Sequence, residues 1–294
     1  MRVLFFAILL AGCQQVLAQD GAPTAAQVRQ AIAGEIKSFN ISPAKLYMIE
    51  NTRVWNGTDS IPVRIYYPDS KKGLRIIYNI HGGALVAGDL DTHENISAEL
   101  AVRTHSVVVA VDYRKPPEFP YPAGINDCKT VLDWIKKNAV KIHGNAADIV
   151  LLGDSGGGLF VTSLAVDMKK NLGVQAICLI NPAVDLRTPG EGLYGLVTNW
   201  YLQGQSADDS LISPITATDF SDFPPTLIIT CGKDELKPHG DAIYQKIRMS
   251  STAKIFNIPD EDHLGGLWSA AHPRAAAAID ETVKFILSGY KYRG

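Results

Sequence analysis

The sequence shows no strong excess of charge of either sign, and this shortage limits the partners it can bind. Lys and Arg total 28 among 294 residues, against 30 Asp and Glu, so the formal net charge is −2. Nucleic acids and anionic membranes favour a basic surface, so we expect no nucleic-acid partner. An internal repeat, a heptad run and a low-complexity block are also lacking, which argues against a solenoid, a coiled coil or a disordered chain.

Cysteine is scarce as well. The four cysteines are Cys13, Cys128, Cys178 and Cys231. Their spacing matches no metal site, and their number implies no disulfide framework. Cys178 and Cys231 lie inside apolar runs, which favours buried free thiols. We therefore predict no metal centre.

Long apolar runs are absent except at the N-terminus, where the chain reads "MRVLFFAILLAGCQQVLAQD". One positive residue precedes an apolar core that is too short for an ordinary membrane span, a pattern typical of an export signal. Cleavage after Ala18 would remove residues 1–18 and release a secreted or periplasmic protein. A lipobox ending at Cys13 would instead remove residues 1–12 and leave a membrane-anchored lipoprotein. The sequence leaves both open, and a membrane partner is expected only in the second case.

Short apolar runs rich in β-branched residues recur from residue 63 and alternate with helix-length segments. The runs are VRIYYPD, LRIIYNI, SVVVAVDY, DIVLLG, VQAICLI, PTLIITCG and AKIFNIP. The intervening segments lie at about 92–104, 123–140, 156–171, 239–249 and 273–289. This alternation predicts an α/β fold with a mostly parallel central sheet and helices on both faces.

The same pattern predicts one catalytic domain over residues 44–294, preceded by an N-terminal cap segment over 19–43. That segment contains an amphipathic helix pattern with Thr24 as its N-cap. The interval 186–213, rich in glycine and aromatic residues, interrupts the alternation. Because it follows the carboxyl end of a strand, where open α/β folds bind ligands, we interpret it as a small helical cap insertion.

The stretch "LLGDSGGGLF", residues 151–160, has the first pattern that indicates chemistry. A trypsin-like protease is excluded, because that fold is all-β and its His and Asp precede the serine. A phosphate-binding P-loop is excluded because no Gly-Lys-Ser/Thr follows, and the dinucleotide fingerprint fails because Ser155 stands at its middle glycine. Gly-x-Ser-x-Gly between a strand and a helix remains, which is typical of a nucleophile elbow.

In such an elbow the nucleophile is followed along the chain by an acid and then a base. Asp234 follows the strand PTLIITCG, and His263 follows the strand AKIFNIP. The stretch "IHGGAL" also follows a strand, so the amides of Gly82 and Gly83, with that of Gly156, are predicted to bind a developing oxyanion.

Together these stretches resemble the hormone-sensitive-lipase-like family of α/β-hydrolases over about residues 60–290. The matching motifs are HGGA (81–84), DYRKPPEFPYPA (112–123), GDSGGG (153–158), GKDEL (232–236) and the Asp-His pair at 262–263. The resemblance implies an α/β-hydrolase fold with Ser155 as nucleophile, Asp234 as acid and His263 as base. It also implies a cap built from the N-terminal helix and the 186–213 insertion.

The chain departs from the family pattern at several positions. Ala84 replaces a third glycine, Gly156 replaces the usual alanine, and Leu264 follows the histidine where Gly-Phe is more usual. Pocket-lining residues are predicted at four positions, and for the first three of these simple cap packing stays open as the alternative. They are Leu85, Trp200, Tyr201 and Leu264.

The predicted function is a serine carboxylesterase that hydrolyses short- to medium-chain acyl esters through an acyl-enzyme, without a metal or organic cofactor. Its expected partner is a small-molecule ester, and a homodimer is left open. Three alternatives remain: an amide or arylformamide hydrolase on the same scaffold, a non-catalytic small-ligand receptor, and a lipid-anchored binding protein.

Overall fold

A computed structural model describes residues 22–188, 192–263 and 273–291 of the chain. The two cleavage alternatives, Cys13 and Leu264 lie outside the described residues. The strands are β1 (Met48–Trp55), β2 (Ser60–Tyr67), β3 (Leu74–Ile80), β4 (Val107–Val111), β5 (Gly144–Asp154), β6 (Ala176–Ile180), β7 (Thr226–Cys231) and β8 (Ala253–Ile258). The helices are α1 (Ala25–Ser38), α2 (Glu94–Thr104), α3 (Ala123–Asn138), α4 (Gly156–Met168), α5 (Leu193–Leu202), α6 (Lys237–Arg248) and α7 (Pro273–Leu287).

The eight strands form one sheet in the order β1-β2-β4-β3-β5-β6-β7-β8. Strands β3 to β8 run parallel, whereas β2 is antiparallel to both β1 and β4. Alternate residues of β3 supply the two faces, because successive side chains of a strand point in opposite directions. Tyr78 joins a core with α3, α4 and α6, whereas Ile77 joins a second core with α2 and α7. The predicted α/β sandwich with a mostly parallel sheet is therefore confirmed.

Strand β1 is the one strand that the sequence patterns did not predict. Six of its eight residues are exposed, and Val54 alone is buried. An edge strand that covers so little core needs no apolar alternation, so its sequence MIENTRVW carries almost no strand signal.

Helix α1 begins as the sequence predicts. The Thr24 hydroxyl accepts a hydrogen bond from the Gln27 backbone amide, and the Gln27 side-chain oxygen accepts one from the Thr24 backbone amide, which makes a capping box. The buried face of α1 contributes Val28 and Ile32 to a small apolar cluster. Leu193 and Val197 of α5 join that cluster, together with Val86 and Ala87 from the loop after β3. The two helices assigned to the cap from the sequence thus share one apolar contact.

The ends of the 186–213 interval lie side by side. The Leu186 amide donates to the Ser213 hydroxyl at 2.9 Å, and the Ile215 amide donates to the Val184 carbonyl at 3.1 Å. The segment that contains α5 therefore leaves and rejoins the domain at one place.

The three cysteines in the described ranges are buried and form no disulfide, as the sequence predicts for the last two: Cys128, Cys178 and Cys231. Over the same ranges, every helix is too short or too polar to cross a bilayer.

Helix α3 contains a buried carboxylate, that of Asp127. It accepts hydrogen bonds from the Arg114 guanidinium at 2.8 Å and from Asn56 at 3.1 Å, and it has no exposed surface. The Arg114→Met variant leaves this charge without its ion partner, so we expect the free energy of unfolding to fall by about 3 kcal/mol. Urea denaturation measures the loss.

Arg187→Met is the matched control, because its pair with Asp185 is exposed to solvent and should contribute little to stability. Adding Asp127→Asn to Arg114→Met should recover part of the loss, since it removes the uncompensated charge. Equal losses in Arg114→Met and Arg187→Met would contradict the assignment.

Candidate active site

Ser155 lies in a one-residue turn between β5 and α4. Its backbone angles are φ 49° and ψ −118°, a conformation that costs an L-residue roughly 1–3 kcal/mol. The turn is held from the sheet side, where the Ser155 amide donates to the Ile180 carbonyl of β6 at 2.9 Å, and from the helix side, where its carbonyl accepts from the Gly158 amide at 3.0 Å. The conformation that the elbow motif predicts is therefore present.

The two glycines that flank the elbow have no room for a side chain. A Cβ at Gly153 would lie 2.5 Å from the Gly157 carbonyl oxygen, and a Cβ at Gly157 would lie 1.9 Å from the Ile80 carbonyl oxygen. Both contacts are with backbone, which cannot rotate away. This close approach is why the sequence needs glycine two residues before and two residues after the serine.

Asp234 and His263 meet beyond the ends of β7 and β8. His263 Nδ1 lies 2.9 Å from Asp234 Oδ2, and each residue is 7% exposed. The other carboxylate oxygen accepts the Leu236 amide at 2.9 Å. A third donor, the Asn181 side-chain amide, also binds Oδ2.

Asn181 is a site residue that the sequence analysis did not identify. It directly follows β6, has a positive φ of 45° and is 1% exposed. The only sequence signal is a polar residue between the apolar run AICLI and Pro182, which by itself predicts a turn.

The electrostatics of the pair follow from its hydrogen bonds. Burial alone would raise the pKa of Asp234, but His263 and the amides of Leu236 and Asn181 outweigh burial and hold that pKa below its usual value. Burial alone would lower the pKa of His263, but the Asp234 carboxylate outweighs it and raises that pKa above its usual value. Asp154 and Glu235 add smaller contributions of the same sign. Each partner therefore stabilises the charged form of the other.

Since Nδ1 of His263 binds Asp234, the other ring nitrogen, Nε2, is the one available for chemistry. Nε2 is buried and has no hydrogen-bond partner in the part of the chain that the structure describes. A neutral imidazole with Nδ1–H bound to a carboxylate presents a lone pair at Nε2 and can accept a proton there.

The loop after β3 differs in one respect from the sequence-based prediction of three oxyanion donors. The Gly82 amide donates to Asp154 Oδ1 at 3.0 Å, so this N–H is already engaged, which argues against Gly82 as an oxyanion donor. Gly82 instead approaches the elbow closely, because a Cβ there would lie 3.0 Å from the Ser155 Cβ.

The next residues of the loop turn through left-handed backbone. Gly83 has φ 121°, and Ala84 and Leu85 follow at 52° and 67°. Among the described residues, the amides of Gly83 and Ala84 have no hydrogen-bond acceptor. A Cβ at Gly156 would lie 3.0 Å from the Leu85 amide nitrogen, so this loop packs directly on the first residue of α4. Ala84 tolerates the conformation that the usual glycine would adopt without strain.

The predicted pocket-lining residues fall in three environments. Leu85 is buried against Gly156 at the elbow, and Trp200 is half-buried in the cluster shared by α1 and α5. Tyr201 is fully buried in the main core, with its ring 5.8 Å from that of Tyr121 and 6.2 Å from that of Phe160. Leu264 lies outside the described residues.

Groups of three or more His, Cys, Asp or Glu side chains suited to a metal ion do not occur in the described ranges. The chemistry that these residues can perform themselves is proton transfer at His263 and nucleophilic attack by Ser155.

The chain is similar to known proteins both in sequence and in structure. A family model described as alpha/beta hydrolase fold matches residues 77–264. Carboxylesterase NlhH of Mycobacterium tuberculosis is 30% identical over 257 residues, which cover 80% of each chain. An arylesterase of Saccharolobus solfataricus is 28% identical over 66% of this chain and 69% of that one.

A solved structure extends the match to nearly the whole chain. The hyperthermophilic esterase of the archaeon Pyrobaculum calidifontis superimposes with a TM-score of 0.84 at 25% identity, covering 95% of this chain and 98% of that one. These similarities confirm the fold and the resemblance found in the motifs. The chain therefore belongs to the hormone-sensitive-lipase-like family of α/β-hydrolases and is a carboxylic ester hydrolase.

Proposed function

We propose that the protein cleaves carboxylic esters with Ser155 as nucleophile, His263 as general base and Asp234 as the acid that orients it. The observation that carries this proposal is the buried Asp234–His263 hydrogen bond, which leaves Nε2 of the imidazole as the free nitrogen. A serine on an elbow at the end of β5, in the same sheet, supplies the hydroxyl that such a base would activate.

The reaction has two steps. His263 Nε2 takes the proton of Ser155 as Oγ attacks the ester carbonyl, and it returns that proton to the departing alcohol. Water then attacks the acyl-enzyme, with His263 again taking a proton and passing it to Ser155 as the acid leaves. Asp234 fixes the proton on Nδ1 and stabilises the imidazolium that forms in each step.

The oxyanion is held by backbone amides on two sides of Ser155. We assign Gly83 and Gly156 this role, as the sequence predicts, and add Ala84, whose amide is likewise without an acceptor among the described residues. Gly82 is excluded because its amide binds Asp154. One such donor is worth about 3 kcal/mol in the transition state.

The proposed substrates are esters with short to medium acyl chains. Leu85 packs within van der Waals distance of the position that a Gly156 side chain would take, which narrows the space beside the nucleophile. Helices α1 and α5 add an apolar cluster next to the same loop, consistent with a small cap. Apolar side chains with backbone donors suit an uncharged ester better than a charged one.

A p-nitrophenyl ester series from acetate to palmitate tests both parts of this proposal. We expect kcat/KM to be highest for the short and medium chains and to fall for the longest, because Leu85 packs on Gly156 directly beside the nucleophile. Ser155→Ala should lose at least about 10⁴-fold in kcat, since the nucleophile is removed.

Ser163→Ala is the matched control, because it removes a buried hydroxyl from α4, the helix that follows Ser155. This hydroxyl has no hydrogen-bond partner in the described residues. Its activity should equal that of the wild type. Turnover by Ser155→Ala at the rate of Ser163→Ala would reject Ser155 as nucleophile. A parallel p-nitroanilide series distinguishes an amidase, which would cleave the anilides faster than the esters.

The pH profile tests the role of His263. The base must be neutral, and Asp234 raises its pKa, so kcat/KM should be full above that pKa and fall as pH drops through it, with a midpoint above about 6.5. Asp234→Asn should move this midpoint to lower pH and reduce kcat by about 10⁴-fold, because the amide favours the wrong tautomer.

His105→Asn serves as the control, because His105 is a half-exposed histidine paired with Asp69 at the far end of α2. Its pH profile should match that of the wild type. An Asp234→Asn midpoint that stays in place would show that another group titrates.

A further inference from the structure

Asp154 is a buried carboxylate beside the nucleophile to which the esterase mechanism gives no part. It is the last residue of β5, directly precedes Ser155 and is 1% exposed. An ionised carboxylate in such a position is costly unless both oxygens have partners. One carboxylate oxygen binds the loop after β3, and the other faces His93. These two contacts indicate the role of the residue.

The first oxygen holds the loop that carries the oxyanion donors. Oδ1 accepts the Gly82 amide at 3.0 Å. The fit is close, because a Cβ at Gly82 would lie 2.4 Å from Asp154 Oδ2 and 3.0 Å from the Ser155 Cβ. The Gly82 amide is one residue from the proposed donor Gly83, so this bond fixes the loop where it passes the nucleophile.

The second oxygen faces a histidine that is itself oriented. His93 Nε2 lies 3.4 Å from Oδ2, and His93 Nδ1 lies 3.0 Å from the Thr92 hydroxyl. His93 is 3% exposed, and three hydrogen bonds join Thr92 to Asp89. A chain of contacts therefore runs from Thr92 through His93 and Asp154 to Gly82.

We infer that Asp154 is a positioning residue, oriented by His93, which sets the oxyanion loop relative to Ser155 through its hydrogen bond to the Gly82 amide. This inference rests on the proposed serine mechanism. Without the acceptor at Oδ1, the amides of Gly83 and Ala84 lose their fixed distance from the reacting carbonyl. A misplacement of about 1 Å costs on the order of 100-fold in rate.

Asp154→Ala and Asp154→Asn test the inference as a pair. Asparagine keeps an oxygen that accepts the Gly82 amide, and His93 can change tautomer to accept the new N–H₂ while donating to Thr92. We expect Asp154→Ala to lose about 100-fold in kcat with less than about 3-fold change in KM, and Asp154→Asn to recover most of that loss. The rates refer to active sites titrated with a p-nitrophenyl phosphonate.

An arylboronic acid supplies a second readout, because it forms a tetrahedral adduct with the nucleophile and uses the same amides. Its inhibition constant should rise in Asp154→Ala by about the factor by which kcat falls. Asp148→Ala is the control, since Asp148 lies six residues earlier in β5 and binds Arg75 and Tyr290. Its kcat for each titrated site should equal that of the wild type.

Two results would overturn the inference. One is an Asp154→Ala protein with fewer titratable sites but unchanged kcat at each site, which shows that the residue serves folding only. The other is equal damage in Asp154→Ala and Asp154→Asn, which shows that the acceptor for Gly82 is not what matters. Activity in Ser155→Ala would instead reject the serine mechanism, so the two failures are distinguishable.

If Asp154→Ala does not fold, His93→Leu and His93→Gln replace it. Glutamine keeps a donor that can face Oδ2, whereas leucine has none. We expect a loss of about 10-fold in kcat for His93→Leu and a smaller loss for His93→Gln. Equal kcat at titrated sites in His93→Leu and the wild type would overturn the part assigned to His93.

Discussion

The hydrogen bond between His263 and Asp234 depends on the pairing of two neighbouring parallel strands. In β7 and β8, Thr226 lies opposite Ala253 and Cys231 opposite Ile258, so the loops that follow start level with each other. Asp234 lies three residues beyond β7 and His263 five residues beyond β8, close enough for a contact of 2.9 Å. A slip of this register by one residue would reverse every side chain of the moved strand and separate the pair.

The pairing of the other parallel strands brings the glycine loop, the elbow and Asn181 to the same edge of the sheet. Ile80 at the end of β3 pairs with Gly153 of β5, which sets the glycine loop against the elbow. Asp154 pairs with Ile180 of β6, so Asn181, one residue later, reaches the acid. The buried polar groups lie at strand ends or in the loops that directly follow them, and hydrogen bonds among these groups keep their geometry fixed.

Much of this fold follows from local sequence patterns. Strands β3 to β7 are largely apolar because both faces of the sheet are covered there, and this composition makes the strands recognisable in the sequence. Strand β1 is exposed at the edge, and MIENTRVW therefore gave no prediction. The elbow was predictable because backbone crowding at Gly153 and Gly157 permits only glycine, a constraint visible in the sequence itself.

Other parts of the site depend on contacts that the sequence does not reveal. A glycine pair after a strand indicates a tight backbone turn, but it does not show which acceptor each amide faces. The sequence therefore predicts the Gly82 amide as an oxyanion donor, whereas in the structure this amide binds Asp154. Asn181 was missed because its role depends on Asp234, 53 residues away. Tyr201 is predicted to line the pocket, but in the structure its ring is buried in the main core. The sequence does not distinguish these two positions for an aromatic residue of the cap interval.

Covalent labelling tests the central claim most directly, namely that Ser155 is activated by the buried His263–Asp234 pair. After reaction with a fluorophosphonate, which modifies only activated serines, peptide mass spectrometry locates the label. We expect one label for each chain, on Ser155, and no label in a His263→Ala variant. A label on another residue, or equal labelling of Ser155 without the histidine, would contradict it.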